Sequence, residues 1–342
     1  MVTYSYCIVA LLLILPLNCN GANTTSIFDI RDEKYMTAKY TVVLLFPVFL
    51  LYGIISNILM AIVCFSRGNL YGRAFILITL QIIICNLISF IPHMIVLLPE
   101  ILLTKNSLYS SKIWINRVFS TINTSSFYAV LHFAFLWTLN RFLSIIFPKF
   151  NVLFESTKLY FLIIFVWLTV FAISFLDFNY CSRSFEVSTL LWTENCTRQS
   201  NNGGKLFLSF RHIWVIFLSI SMLVMYFAIL CNIRHRRTLV INDSRTMNTR
   251  HGTSRLETAK YERSVLIQAA LTCGVFIIGI ILINFLPKLL LKIFGQEIII
   301  PVNIFINSFL ILGRTVLPMT LFATNKHARK QLYLLLKISK VE

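Results

Sequence analysis

The sequence predicts an all-α membrane protein: a seven-transmembrane helix bundle with its N-terminus outside, its C-terminus cytosolic and a short amphipathic helix at its C-terminal end. Three observations carry this. The 342-residue chain is 57% hydrophobic and 13% charged, with a mean hydropathy of +0.78, more apolar surface than a soluble domain of this size can hide. Its charges are segregated, leaving seven long stretches free of Asp, Glu, Lys and Arg. Its cationic residues are divided unevenly among the segments joining those stretches.

In chain order, the run "CIVALLLILPL" (Cys7–Leu17) comes first and is too short to cross a bilayer. Small residues follow it, so residues 1–22 read as a secretory signal peptide, although "MVTYSY" lacks the usual positive charge. An uncleaved hydrophobic tail is the alternative. Residues 23–39 form an outer tail. The charge-free stretches are Tyr40–Ser66, Ala74–Pro99, Val118–Asn140, Leu159–Leu176, His212–Ile233, Ser264–Pro287 and Ile298–Gly313, the last resuming past Arg314 to Asn325. A helix needs about 20 residues to cross ~30 Å of hydrocarbon, and the seventh reaches that length only with Arg314 inside it. The bundle is thus placed at 40–324. Residues 325–342 alternate Ala328, Leu332, Leu335 and Leu336 with Lys326, Arg329, Lys330, Lys337 and Lys340, the pattern of a helix lying on the inner leaflet.

With Tyr40 entering from outside, the inner segments hold 18 Lys and Arg and the outer ones 12, the bias expected for N-out topology. Most of the excess lies in "IRHRRTLVINDSRTMNTRHGTSRLETAKYER". Flanked by two spans, this basic loop reads as a topology determinant and an anionic-lipid or partner surface, not as a nucleic-acid site. Cys64, Cys85, Cys231 and Cys273 fall within spans and read as small apolar packers. Cys181 and Cys196 share an outer loop in an oxidising compartment and are expected to pair. The sequons at Asn23 and Asn195 are outside, where glycosylation can occur; those at Asn123 and Asn242 fall in a span and an inner loop, which topology excludes.

Other function classes lack their signatures. No Asp or Glu falls inside any charge-free span and no internal repeat is visible, against the usual pattern of a transporter or channel. The six histidines are scattered, with no metal-ligand spacing and no nucleophile constellation; neither enzyme nor metal or cofactor site is expected. His132 reads as a packed, hydrogen-bonded residue.

"NRFLSIIFP" (Asn140–Pro148) ends the third span with Arg141, a charge that snorkelling alone would explain. It also resembles the D/E-R-Y/F-x-x-I-x-x-P signature of rhodopsin-like G-protein-coupled receptors. Asn57 in "GIISN", Asn86, Trp167, Tyr226 and the Pro318 of "LPMTLF" stand at positions similar to that family's helix markers, and "FATNKHARK" resembles its junction into a post-bundle helix. The resemblance spans about Tyr40–Ile338. There are departures: Asn116 stands near the expected third-helix cysteine, Asn140 replaces the acid, and the sixth and fifth spans lack the C-W-x-P hinge and the proline. The worn pattern, with "E-x-x-x-L-x-Q" at Glu262–Gln268, is most similar to the nematode serpentine chemoreceptors of the class X group.

That resemblance implies a multi-pass receptor of the plasma membrane, in sensory-neuron endings, with a small-molecule ligand and a heterotrimeric G protein as partners. A polytopic transporter or channel-like protein without G-protein coupling is the alternative. It assigns G-protein coupling to Arg141, Asn140, Phe142, Pro148 and Glu262, with Glu257 or Glu262 holding Arg141 at rest. Asn123, Thr124, Phe127 and Tyr128 become ligand-pocket candidates; with Asn123 where amine receptors carry an aspartate, a small neutral or weakly polar chemical fits better than an amine. A polar network of Asn57, Asn86, Arg314 and Pro318 is expected in the core, with the Arg314 guanidinium donating to Asn86 and Asn57 in place of a sodium ion.

Overall fold

A computed structural model of the chain describes residues 29–65, 72–102, 113–187, 190–195, 203–244 and 252–338. The expected signal peptide and Asn23 lie outside this range. The helices are α1 (Met36–Phe65), α2 (Arg73–Leu102), α3 (Ile113–Ile146), α4 (Ser156–Tyr180), α5 (Gly203–Ser244), α6 (Gly252–Phe294), α7 (Ile299–Gly313), α8 (Val316–Thr324) and α9 (Lys326–Ile338). Among the described residues, seven segments are long and apolar enough to span a membrane. The solvent-facing surfaces of these helices carry large apolar side chains such as Leu44, Phe161, Phe171 and Phe227, as expected where lipid is the solvent.

The helices outrun the charge-free stretches because a charge at a helix end does not break a helix; it only marks where the chain leaves hydrocarbon. Four acids are consequently inside helical spans, contrary to expectation: Glu33 and Glu297, exposed at the starts of the first and seventh, and Glu100 near the end of α2 and Asp177 near the end of α4, both buried. Likewise α3 continues past Arg141 to Ile146, and Pro148 opens a 3-10 turn over Pro148–Phe154, where its fixed φ suits a helical first turn. Within α2, Pro92 is followed by a π-helical turn at His93–Leu97, a local adjustment to the donor that proline removes.

Packing centres on α3. Trp137, fully buried, lies 5.5 Å from the Phe75 ring of α2, and Phe133 lies 5.5 Å from Trp167 of α4. Trp167 also donates to Gln81 Oε1 at 3.0 Å, joining α4 to α2. Toward α5, Thr138 and Tyr226 share a hydrogen bond of 3.0 Å. His132 donates Nδ1–H to the Tyr128 carbonyl and accepts from Trp214 at Nε2, which uses both ring nitrogens and accounts for its burial. Of the cysteines expected to pack, Cys64 and Cys85 are buried, whereas Cys231 is exposed on α5.

One element departs from an all-helical expectation. After α4 the chain forms an antiparallel hairpin, β1 (Ser182–Glu186) and β2 (Leu191–Asn195), with Ser182 opposite Asn195 and Glu186 opposite Leu191. Its physical basis is the alternation in "SRSFEV": Phe185 and Val187 point inward and are buried, while Ser184 and Glu186 are exposed. Leu190, at φ 54°, closes the turn and is completely buried. At the opposite end of the bundle, Asn325 caps α9 by accepting the Ala328 N–H at 3.1 Å. Ala328 is buried and Arg329 reaches back to the Ala323 carbonyl, so α9 is seated against the bundle by its first turn.

Candidate functional site

The hairpin covers one end of the bundle. Phe185, Val187 and Leu190 join a buried cluster with Phe46, Leu50 and Phe90, and Asn307 of α7 donates to the Leu190 carbonyl at 2.7 Å. From β1, Arg183 donates to Thr124 Oγ1 of α3 and to Asp177 of α4. Asp177 also accepts from Arg211 of α5 at 2.5 Å. One buried carboxylate therefore ties α4, α5 and the hairpin together, and Arg183 carries the tie to α3. Sequence reading missed this strap, because both acid and arginines lie just outside the charge-free runs. The alternation of "SRSFEV" was the available signal.

Neighbouring contacts replace the helix-three cysteine. Asn116 Nδ2 donates to Glu100 Oε1 at 3.2 Å, joining α3 to α2. Arg117 donates to the Phe178 carbonyl and sits 4.1 Å from that ring's centroid, joining α3 to α4. Cys181 is buried and disulfide-bonded; Cys196 lies outside the described residues.

Beneath the hairpin, α2, α3, α6, α7 and α8 line a partly open cavity of about 50 Å³, to which Phe127, Phe276, Thr272, Asn86 and Arg314 contribute. Of the four ligand-pocket candidates, Phe127 lines this cavity, in edge-on contact with Phe276 at 6.4 Å. Thr124 is bound by Arg183. Tyr128 is buried in the core, 3% exposed, and Asn123 is half-buried. The four are thus not brought to one surface.

Asn57, Asn86 and Arg314 do meet, but by a different bond from the one expected. Pro318 has no N–H to offer the carbonyl four residues back. That carbonyl belongs to Arg314, at the turn between α7 and α8, and it accepts from Asn86 Nδ2 at 3.0 Å and Asn57 Nδ2 at 3.3 Å. Asn86 Nδ2 also donates to Asn57 Oδ1 at 3.2 Å, and Asn57 to the Gly53 carbonyl at 2.8 Å. The asparagines therefore act as donors to the arginine's backbone. Its guanidinium lies instead 5.9 Å from the Phe127 ring centroid.

At the far end of α3, Arg141 sits 5.1 Å from the Phe75 ring centroid. Asn140 is buried and Phe142 packs edge-on against Phe147 at 5.8 Å. The side chains of Glu257 and Glu262 lie outside the described residues, as does that of Asn195, whose backbone ends β2.

A family model described as serpentine type 7TM GPCR chemoreceptor Srx matches residues 46–310. Among solved structures, squid rhodopsin is similar at a TM-score of 0.69 and 14% identity, over 86% of this chain and 84% of that one. At that identity the likeness is one of fold. No curated protein matches.

Proposed function

This chain belongs to the Srx family of serpentine chemoreceptors, G-protein-coupled receptors and not enzymes, and from that membership we propose that it senses a small neutral or weakly polar chemical and signals through a heterotrimeric G protein. The hairpin end then faces outward and α9 lies on the cytosolic leaflet of the plasma membrane. The observation that carries the reading is the reach of one helix. α3 supplies Phe127 to the cavity and Arg141 to the opposite end, so a ligand that repacks the Phe127–Phe276 contact acts on the element that carries the coupling arginine. An agonist shifts a pre-existing inactive–active equilibrium by its differential affinity for the two states.

The test is a screen of neutral and weakly polar chemicals against a G-protein reporter in cells expressing the receptor. A subset is expected to give concentration-dependent signals, abolished or strongly reduced by Arg141→Ala at unchanged surface expression. Full signalling by Arg141→Ala removes that residue from the coupling surface. Purified protein that moves a solute across vesicles and leaves nucleotide exchange unchanged overturns the receptor reading in favour of a transporter.

A further inference from the structure

Arg314 brings a permanent charge to the middle of the seventh crossing. Its Nη1 is buried without a hydrogen-bond partner, and so is Asn86 Oδ1; both side chains line the same cavity. Among the described residues the ion-paired carboxylates serve other cations: Asp29 holds Arg31, Glu297 holds Lys34, and Asp177 holds Arg183 and Arg211. Asn86 is neutral and its amide N–H groups are committed to Arg314 O and Asn57 Oδ1. The Phe127 ring stands near the ~6 Å limit of cation–π attraction. Arg314 as a whole is half-buried, but a cation whose Nη1 is cut off from solvent without a partner is stabilised by a counter-charge.

The cavity's size limits what can supply it. At about 50 Å³ it exceeds the ~10–15 Å³ that one water needs and falls far short of the ~300–1,000 Å³ of a pocket for an organic ligand. Its other walls are largely apolar, with Phe276, Val275 and Leu310 among them, and a low local dielectric strengthens the field of the guanidinium. We propose that Arg314 binds a small monovalent anion here, chloride or a carboxylate group, so that this receptor core carries an anion site. A water in the same cavity donates both to the anion and to Asn86 Oδ1. The site shares Phe127 and Phe276 with the contact through which the receptor's ligand is proposed to act, and its test reads stability without agonist or G protein.

The experiment measures thermal unfolding of the full-length protein in lipid nanodiscs, in sodium chloride, sodium acetate and sodium gluconate at equal ionic strength. Chloride is expected to raise the midpoint over gluconate by about 2–4 °C. Arg314→Gln should abolish the difference and Arg314→Lys should keep it. Acetate behaving as gluconate assigns the site to an inorganic ion; a response to acetate alone assigns it to a carboxylate. Equal midpoints in all three salts overturn the proposal, as does a salt difference that survives Arg314→Gln. Should Arg314→Gln fail to fold, chlorine NMR line broadening by the wild-type protein, relieved by bromide, gives the same decision; absence of broadening, with no acetate response, overturns it.

Discussion

At the scale of single residues, the seventh crossing is organised by an atom that proline lacks. The Arg314 carbonyl loses its helical donor at Pro318 and is served by two asparagine amides from α2 and α1. Asn86→Leu removes one of those donors and also the bond to Asn57 Oδ1. The expected cost is about 1–3 kcal/mol, read as a lowered unfolding midpoint of purified protein. Asn57, Asn86 and Pro318 were visible in the sequence as positions of a resembled pattern. What the sequence could not show is which end of Arg314 the asparagines bind, since side-chain and main-chain atoms of one residue have the same sequence position. The guanidinium's proximity to Phe127 arises only when the folded bundle brings α3 opposite the turn between α7 and α8.

At the scale of elements, the hairpin and the α1–α2 contact are the informative cases. The register places Ser182 opposite Asn195, and in the sequence Cys181 directly precedes the one and Cys196 directly follows the other. We therefore propose the Cys181–Cys196 disulfide as a clamp on the open end of the hairpin. In the chain-entropy model a loop of about 16 residues is worth on the order of 3 kcal/mol. Peptide mapping of non-reduced protein should recover both cysteines in one cross-linked species; either one alkylated as a free thiol rejects the pairing. In α1, a Cβ at Gly53 would stand 2.6 Å from the Phe90 Cζ of α2, and Phe90 is 1% exposed. Gly53→Val should cost about 1–3 kcal/mol by overpacking, seen as reduced yield of folded receptor and a lower midpoint. The long helices were legible from their apolar runs. The hairpin was overlooked because a five-residue strand is a weak signal between a helix end and a sequon.

At the scale of the whole molecule, the hairpin is a lid that one carboxylate straps to α4 and α5, beside its apolar seat and the Asn307–Leu190 bond. Asp177 joins α4 to Arg211 of α5 and to Arg183 of β1, and it is 1% exposed. Asp177→Asn removes the negative charge between two arginines and is expected to destabilise the protein by about 3–5 kcal/mol, checked by the unfolding midpoint. Arg183→Ala is milder: it frees the lid from α3 and should speed both association and dissociation of any agonist found, checked by response onset and washout. The sequence by itself determined the class, the seven crossings and the amphipathic tail helix, because hydrocarbon imposes length and charge limits on each segment separately. It also carried the receptor resemblance, through markers spaced along single helices. Tertiary structure alone decided the lid strap, the Arg314 carbonyl network and the cavity beside its guanidinium. Each depends on atoms from three or more helices meeting in space, and the stability of a buried polar group depends on its partners, not on its neighbours in the chain.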